Sequence, residues 1–100
     1  MVAPSAVLPT IGSKEFVAWL PTLLGLGPGA SVVIPEIAYP TYAVGAALVG
    51  AKIIATDRPE EVRAPSLIWL NSPSNPTGAV LTAKRLAQIV AYGRSASALV

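Results

Sequence analysis

The sequence predicts an α/β protein with a largely parallel sheet, and three observations lead there. Short apolar runs of strand length alternate with longer runs whose apolar residues recur at helical spacing. The strand-like runs lie roughly 20 to 30 residues apart, which leaves room for helical crossovers between parallel neighbours. The run Leu67 to Leu70 is apolar at every position, the pattern of a strand covered on both faces. The order along the chain reads α, β, α, β, β, α, β.

The first helix is expected from Ser13 to Leu24, where Phe16, Val17, Leu20, Leu23 and Leu24 share one face and Ser13 is placed to cap the start. Pro21 should kink or shorten it, and the cluster Gly25, Gly27, Pro28, Gly29 supplies the stop. Ser31 to Ile34 reads as a short buried strand. Pro40 suits a helix N-terminus, so a second helix is expected from Thr41 to about Val49, ended by Gly50. A second strand, Ala51 to Thr56, leads into a polar connection from Asp57 to Pro65, and Leu67 to Leu70 forms the third strand. Beyond the loop Asn71 to Gly78, Thr82 caps a third helix with Leu86, Ile89 and Val90 as its apolar stripe and Gly93 as its stop. Ala98, Leu99 and Val100 look like the opening of a fourth strand.

Of the 100 residues, 53 % are hydrophobic and 12 % charged, about half the charged share of a typical soluble domain. A chain of this length buries only about 60 to 65 % of its unfolded surface, so its apolar content exceeds what its own interior can hold. Either a membrane or further protein is expected to cover the remainder. A membrane span needs about 20 predominantly apolar residues, and none of the three uncharged stretches qualifies. Phe16 to Pro35 is broken by prolines and glycines, Ile37 to Ala51 is too short, and Pro65 to Ala83 holds Asn71, Ser72, Ser74 and Asn75. Met1 to Glu15 has neither a basic segment nor a continuous apolar one, so it does not read as a secretory signal, and a cytoplasmic location is expected. The net charge of +2 is small and scattered, which argues against nucleic acid as a partner. Without cysteine there is no disulfide or thiol chemistry, and without histidine neither a Ser-His-Asp triad nor the usual zinc ligand sets can be assembled.

The segment richest in chemistry is Asn71-Ser72-Pro73-Ser74-Asn75-Pro76-Thr77-Gly78, at the carboxyl end of a strand, where open α/β sheets place their ligands. Pro73 and Pro76 restrict the residues before them, so the Asn75 amide offers a directed hydrogen bond. Loops of this composition are also ordinary turns. Upstream, Gly12-Ser13-Lys14-Glu15 opens the first helix, where unpaired N–H groups and the positive end of the helix dipole suit a phosphate. A plain helix cap has the same pattern.

Together with Ile34 to Tyr42, these segments resemble the pyridoxal-phosphate-dependent aminotransferases of class I and II, with the aspartate-aminotransferase-like fold. The resemblance implies that residues 1–100 are an incomplete segment of the parallel-sheet, cofactor-binding large domain of the fold-type-I pyridoxal-phosphate enzymes, about a quarter of a full-length member. It implies pyridoxal 5'-phosphate as cofactor, with Gly12, Ser13 and Lys14 offering backbone amides, and Ser13 its hydroxyl, to the phosphate. Asn75 would hydrogen-bond the 3-hydroxyl oxygen of the ring, and the Asn75–Pro76 bond is expected to be cis. The family often stacks an aromatic side chain on the cofactor, and the match places Glu36 at that position. Either Tyr39 or Tyr42 supplies the ring or the stacking is absent; ordinary packing accounts for both tyrosines equally well.

Within the family, Val7 to Gly29 and Pro35 to Tyr42 are most similar to the actinobacterial succinyldiaminopimelate transaminases of lysine synthesis. The function so implied is transfer of an amino group between an amino acid and a 2-oxo acid by a cytoplasmic homodimer. Lys14, Lys52 and Lys84 all lack the context of the family's cofactor-linking lysine, and its ring-nitrogen aspartate and substrate-binding arginine have no counterpart. The chain alone is therefore expected to be inactive. The alternatives are another class I/II aminotransferase, a non-catalytic remnant, a partner that completes a split enzyme and, remotely, a small membrane-associated protein.

Overall fold

The computed structural model describes residues 1–100. In chain order its elements are α1 (Ser13–Leu23), β1 (Ser31–Ile34), α2 (Thr41–Leu48), β2 (Lys52–Ala55), β3 (Leu67–Ile68) and α3 (Ala83–Ser95), with single 3-10 turns at Pro4–Ala6 and Pro59–Glu61. The sheet order is β2-β1-β3, parallel throughout, with Ser31 opposite Lys52 and Val32 opposite Leu67. Leu99 adds an isolated parallel bridge to Leu67, which starts a fourth strand on the far edge. The chain steps outward from β1 to β2 and then crosses back over β1 to reach β3. That reversal creates a topological switch between the carboxyl ends of β1 and β3, the place where open α/β sheets form a binding crevice.

Successive strand residues face opposite sides of the sheet, and here both sides are covered. Val32, Ile34 and Leu67 join Ala46 and Ala51 on the side of α1 and α2, whereas Val33 and Ile68 join Val62 and Ile89 on the side of α3. This is why SVVI and LIWL carry no polar alternation. β3 is two residues shorter than expected, because after Ile68 the chain turns into a loop bonded to itself. The Trp69 N–H still donates to the Val33 carbonyl at 2.9 Å, and Trp69 and Leu70 continue the alternation, one into each core cluster.

Four local expectations are corrected. Gly12, not Ser13, stands at the N-cap of α1, and no side chain caps that end. Leu23 and Leu24 are exposed rather than packed, since Pro21 within the helix is the residue that turns into the core. On α3 the inward residue beside Ile89 is the half-buried Arg85, and Leu86 faces solvent. Gly93 does not stop α3; it is a buried helical position beneath the returning chain, where a side chain would meet Val100, and the helix runs on to Ser95.

The apolar excess lies outside. The accessible surface is 6559 Å², against about 5300 Å² for a compact monomer of this mass. Much of the difference is helix surface, with Trp19, Leu23, Val44 and Leu48 each more than half exposed. No helix is long and apolar enough to cross a membrane.

Candidate functional site

Gly12 has φ 74° and ψ 158°, a backbone conformation open to glycine and strained for other residues. It turns the chain into α1 without a capping side chain, so the N–H groups of Ser13, Lys14 and Glu15 have no protein acceptor. At α3, by contrast, Thr82 Oγ1 accepts the Arg85 N–H at 3.0 Å. The open end of α1 borders a groove of about 620 Å³ lined by Lys14, Glu15, Tyr39, Thr41 and Val44. Lys14 Nζ lies 5.7 Å from the centre of the Tyr39 ring, within the range of a cation–π contact. Its ammonium is thereby engaged with the ring, while its backbone amide remains free.

The loop after β3 is braced by its own polar groups. The Asn75 N–H donates to Asn71 Oδ1 at 2.8 Å, Gly78 N–H to the Ser74 carbonyl at 2.7 Å, and Leu81 N–H to Ser72 Oγ at 3.0 Å. The Asn75–Pro76 bond is cis, and so is Ser72–Pro73. Asn75 is exposed and its side-chain amide makes no hydrogen bond within the protein. Asn71 is the member that sequence reasoning left without a role. An asparagine opening a proline-rich turn, with a side-chain oxygen able to accept a backbone N–H of that turn, was the available signal.

A second cavity of about 460 Å³ opens at the switch, lined among others by Pro35, Ile37, Asp57, Trp69, Asn71 and Arg85. Arg85 closes one wall, with Nη1 and Nη2 donating to the two Glu60 carboxylate oxygens at 2.8 and 2.9 Å and Nη2 also reaching the Asp57 carbonyl at 3.0 Å. The hydrogen bond from Arg85 holds the Glu60 carboxyl below its ordinary pKa, and the same bond raises that of Arg85. Sequence reasoning treated Asp57 to Pro65 as a plain connection and missed this group.

The structure therefore brings Lys14 together with Tyr39 along one groove, while Gly12 and Ser13 stand at the open start of the same helix without lining it. Asn75 stands on its own loop and lines neither cavity. The two tyrosines separate: Tyr42 packs on Trp69 with ring centres 5.3 Å apart and planes tilted by 53°, while Tyr39 is exposed at the groove. Glu36 is exposed, and its backbone N–H donates to Asp57 Oδ1 at 3.1 Å.

Unpaired N–H groups at a glycine-led helix start, a serine hydroxyl among them and, on the loop after β3, an unspent carboxamide are donors suited to a phosphate and a phenolic oxygen. Such donors on a parallel sheet with this switch belong to a known class of enzyme. The family model described as aminotransferase class I and II matches residues 2–100, and the chain belongs to that family, whose cofactor is pyridoxal phosphate. It is 52 % identical over 98 residues to the probable aminotransferase Rv1178 of Mycobacterium tuberculosis, covering 96 % of this chain and 23 % of that protein. It is 49 % identical over 100 residues to the 4-dedimethylamino-4-oxo-anhydrotetracycline transaminase OxyQ of Streptomyces rimosus, covering 98 % of this chain and 28 % of that one. Among solved structures, the N-succinyldiaminopimelate aminotransferase of Mycobacterium tuberculosis superposes with a TM-score of 0.76 at 31 % identity, over 89 % of this chain and 27 % of the other. The chain thus spans about a quarter of the length of the relatives it matches.

Proposed function

We propose that this chain forms the early part of the cofactor-binding domain of a pyridoxal-phosphate-dependent transaminase that moves an amino group between an amino acid and a 2-oxo acid. The observation that carries this reading is the uncapped start of α1, which leaves the Ser13, Lys14 and Glu15 N–H groups unpaired behind Gly12. The Gly12–Lys14 backbone, with the Ser13 hydroxyl, binds the phosphate, and the helix dipole favours its negative charge. Asn75 donates its amide to the ring oxygen and so orients the ring in its plane. Tyr39 is the aromatic side chain beside the cofactor; Tyr42 is occupied with Trp69. When bound, the cofactor supplies an electron-withdrawing ring that stabilises negative charge on the reacting carbon of the substrate.

Succinyldiaminopimelate is the amino-acid substrate we favour, supported by the likeness to the solved mycobacterial enzyme. Amination of a polycyclic ketone of the anhydrotetracycline type is the second reading, favoured by the 49 % identity to the Streptomyces transaminase. The active assembly is a cytoplasmic homodimer. The 100-residue chain alone has no turnover, because none of Lys14, Lys52 or Lys84 stands where a cofactor-linking lysine is needed.

Pyridoxamine 5'-phosphate, the amine form of the cofactor, needs no lysine to bind and isolates the contribution of these residues. Titrated into the isotopically labelled chain, it should shift the Gly12, Ser13 and Lys14 amides and the Asn75 side-chain amide. Asn75→Ala should weaken binding about tenfold, the loss of one hydrogen bond to a charged group. Absence of any shift at Gly12 to Lys14 refutes the reading.

A further inference from the structure

Each of β1, β2 and β3 runs at its carboxyl end into a loop, and one residue of the loop after β2 joins the loop after β1 to the first turn of α3. Asp57, two residues past β2, accepts the Glu36 N–H on Oδ1 at 3.1 Å, and its own carbonyl accepts from Arg85 Nη2 at 3.0 Å. Glu36 opens the segment that carries Tyr39. Arg85 lies in the first turn of α3, the helix into which the Asn71–Gly78 loop continues, and both guanidinium nitrogens bind Glu60.

The β1–α2 segment has little else to hold it. Pro35 has no N–H, and of the N–H groups of Glu36, Ile37, Ala38 and Tyr39 only that of Glu36 donates a hydrogen bond. The acceptor is the Asp57 carboxylate. A carboxylate accepting a backbone N–H forms one of the stronger hydrogen bonds available to a surface loop, and its carrier is itself clasped to α3 by Arg85.

We propose that Asp57 is a positioning residue for the cofactor site: by holding the Glu36 N–H it sets where the Glu36–Pro40 segment presents Tyr39 beside the open end of α1. This rests on the reading that Gly12 to Lys14 and Tyr39 border the cofactor. Asp57 touches no reacting group and acts only through Glu36. The chemistry it must supply is an oxygen acceptor, which asparagine retains and alanine lacks.

The full chain, labelled with nitrogen-15 and carbon-13, is compared with Asp57→Ala and Asp57→Asn. Removing the acceptor should speed exchange of the Glu36 amide by about fivefold to tenfold, the ordinary worth of one such hydrogen bond. It should also reduce, by a similar factor, the affinity for pyridoxamine 5'-phosphate read at the Tyr39 ring. Exchange of the Ile68 amide, which donates to the Leu99 carbonyl across the sheet, should not change. Asp57→Asn should restore both signals. The role of Asp57 is overturned if Asp57→Ala leaves Glu36 exchange and the Tyr39 response unchanged while the Gly12 to Lys14 amides still shift with ligand, or if Asp57→Asn behaves as the alanine variant does. A different pattern, no ligand shift at Gly12 to Lys14 in any of the three chains, overturns the cofactor reading on which the role depends.

Discussion

Gly45 of α2 lies directly against the Val17 carbonyl of α1: a side-chain carbon added there would stand 2.9 Å from that oxygen and 2.9 Å from the neighbouring Ala18 oxygen. Pro21 explains why the carbonyl is available, because a proline has no N–H to offer the residue four positions earlier. The resulting close contact sets the crossing of α1 and α2, and with it the distance between the open start of α1 and Tyr39. Gly45→Ala is therefore expected to destabilise the chain by about 1 to 3 kcal/mol, the range for overpacking, even though alanine favours helix. A urea unfolding curve that shows equal or greater stability would contradict this.

Gly93 makes the opposite case. A side chain there also meets a neighbour, but the atom is a terminal methyl of Val100, which is 41 % exposed and free to swing toward solvent. The helical preference of alanine over glycine, about 1 kcal/mol, then offsets most of the crowding. Gly93→Ala is therefore expected to cost less than Gly45→Ala, about 1 kcal/mol or less, although the position is buried. Loss of the Leu99 resonances from the sheet would show that the returning chain cannot adjust.

These two glycines also show what could be read from sequence and what could not. Elements whose limits come from local chemistry were legible. β1 matched as Ser31–Ile34 between Ala30 and Pro35, α2 began after Pro40, and Thr82 capped α3. The open start of α1 and the stiff form of the Asn75 loop were legible for the same reason, being short and set by glycine, proline and asparagine, although the cap was read at Ser13 and lies at Gly12. What was misread depends on distant partners. Arg85 rather than Leu86 faces inward because its partners Asp57 and Glu60 lie 28 and 25 residues away. Tyr92, to which the sequence pattern assigned no place, turns inward to donate to the Val62 carbonyl, 30 residues upstream. Gly93 was read as a stop because its true reason, the crossing of residues 98–100 beneath the helix, is invisible in the local pattern.

Gly12 tests backbone conformation without crowding. No atom lies within 4 Å of the position its side chain would take, yet φ is +74° with an extended ψ. Residues other than glycine cost about 1 to 3 kcal/mol in such regions. Gly12→Ala is expected either to lose that much stability or to re-form the turn with Ser13 as cap, since serine is a good capping residue. Re-forming the turn closes free N–H groups and should weaken the pyridoxamine 5'-phosphate shifts at Ser13 and Lys14, whereas a strained turn keeps them at lower stability; in both cases the Asn75–Asn71 hydrogen bond persists. Unaltered ligand shifts at unaltered stability in the alanine variant would show that the glycine conformation does not matter for the site.

The Arg85–Glu60 pair predicts a dependence of stability on pH. In the folded chain Glu60 is held below its ordinary pKa chiefly by the hydrogen bond from Arg85. A carboxyl lowered on folding binds protons more readily in the unfolded chain, so its stabilisation is complete above the unfolded value of about 4.3 and disappears as pH falls through the lower folded value. Both side chains keep water contact, 28 % and 40 % exposed, so screening limits the pair to about 1 kcal/mol or less. The difference in unfolding free energy between pH 7 and pH 3, read from urea titrations, should shrink in Glu60→Gln by that amount. Arg58, paired with Glu61 at 72 % and 62 % exposure, should give no measurable change when replaced by Gln. Because Arg85 also holds the Asp57 carbonyl, acidification should loosen that loop before the sheet: Glu36 exchange should rise between pH 4.5 and pH 3, after correction for intrinsic rates, while the Ile68 amide stays protected. Simultaneous loss of both protections would place the transition in global unfolding instead of in this clasp.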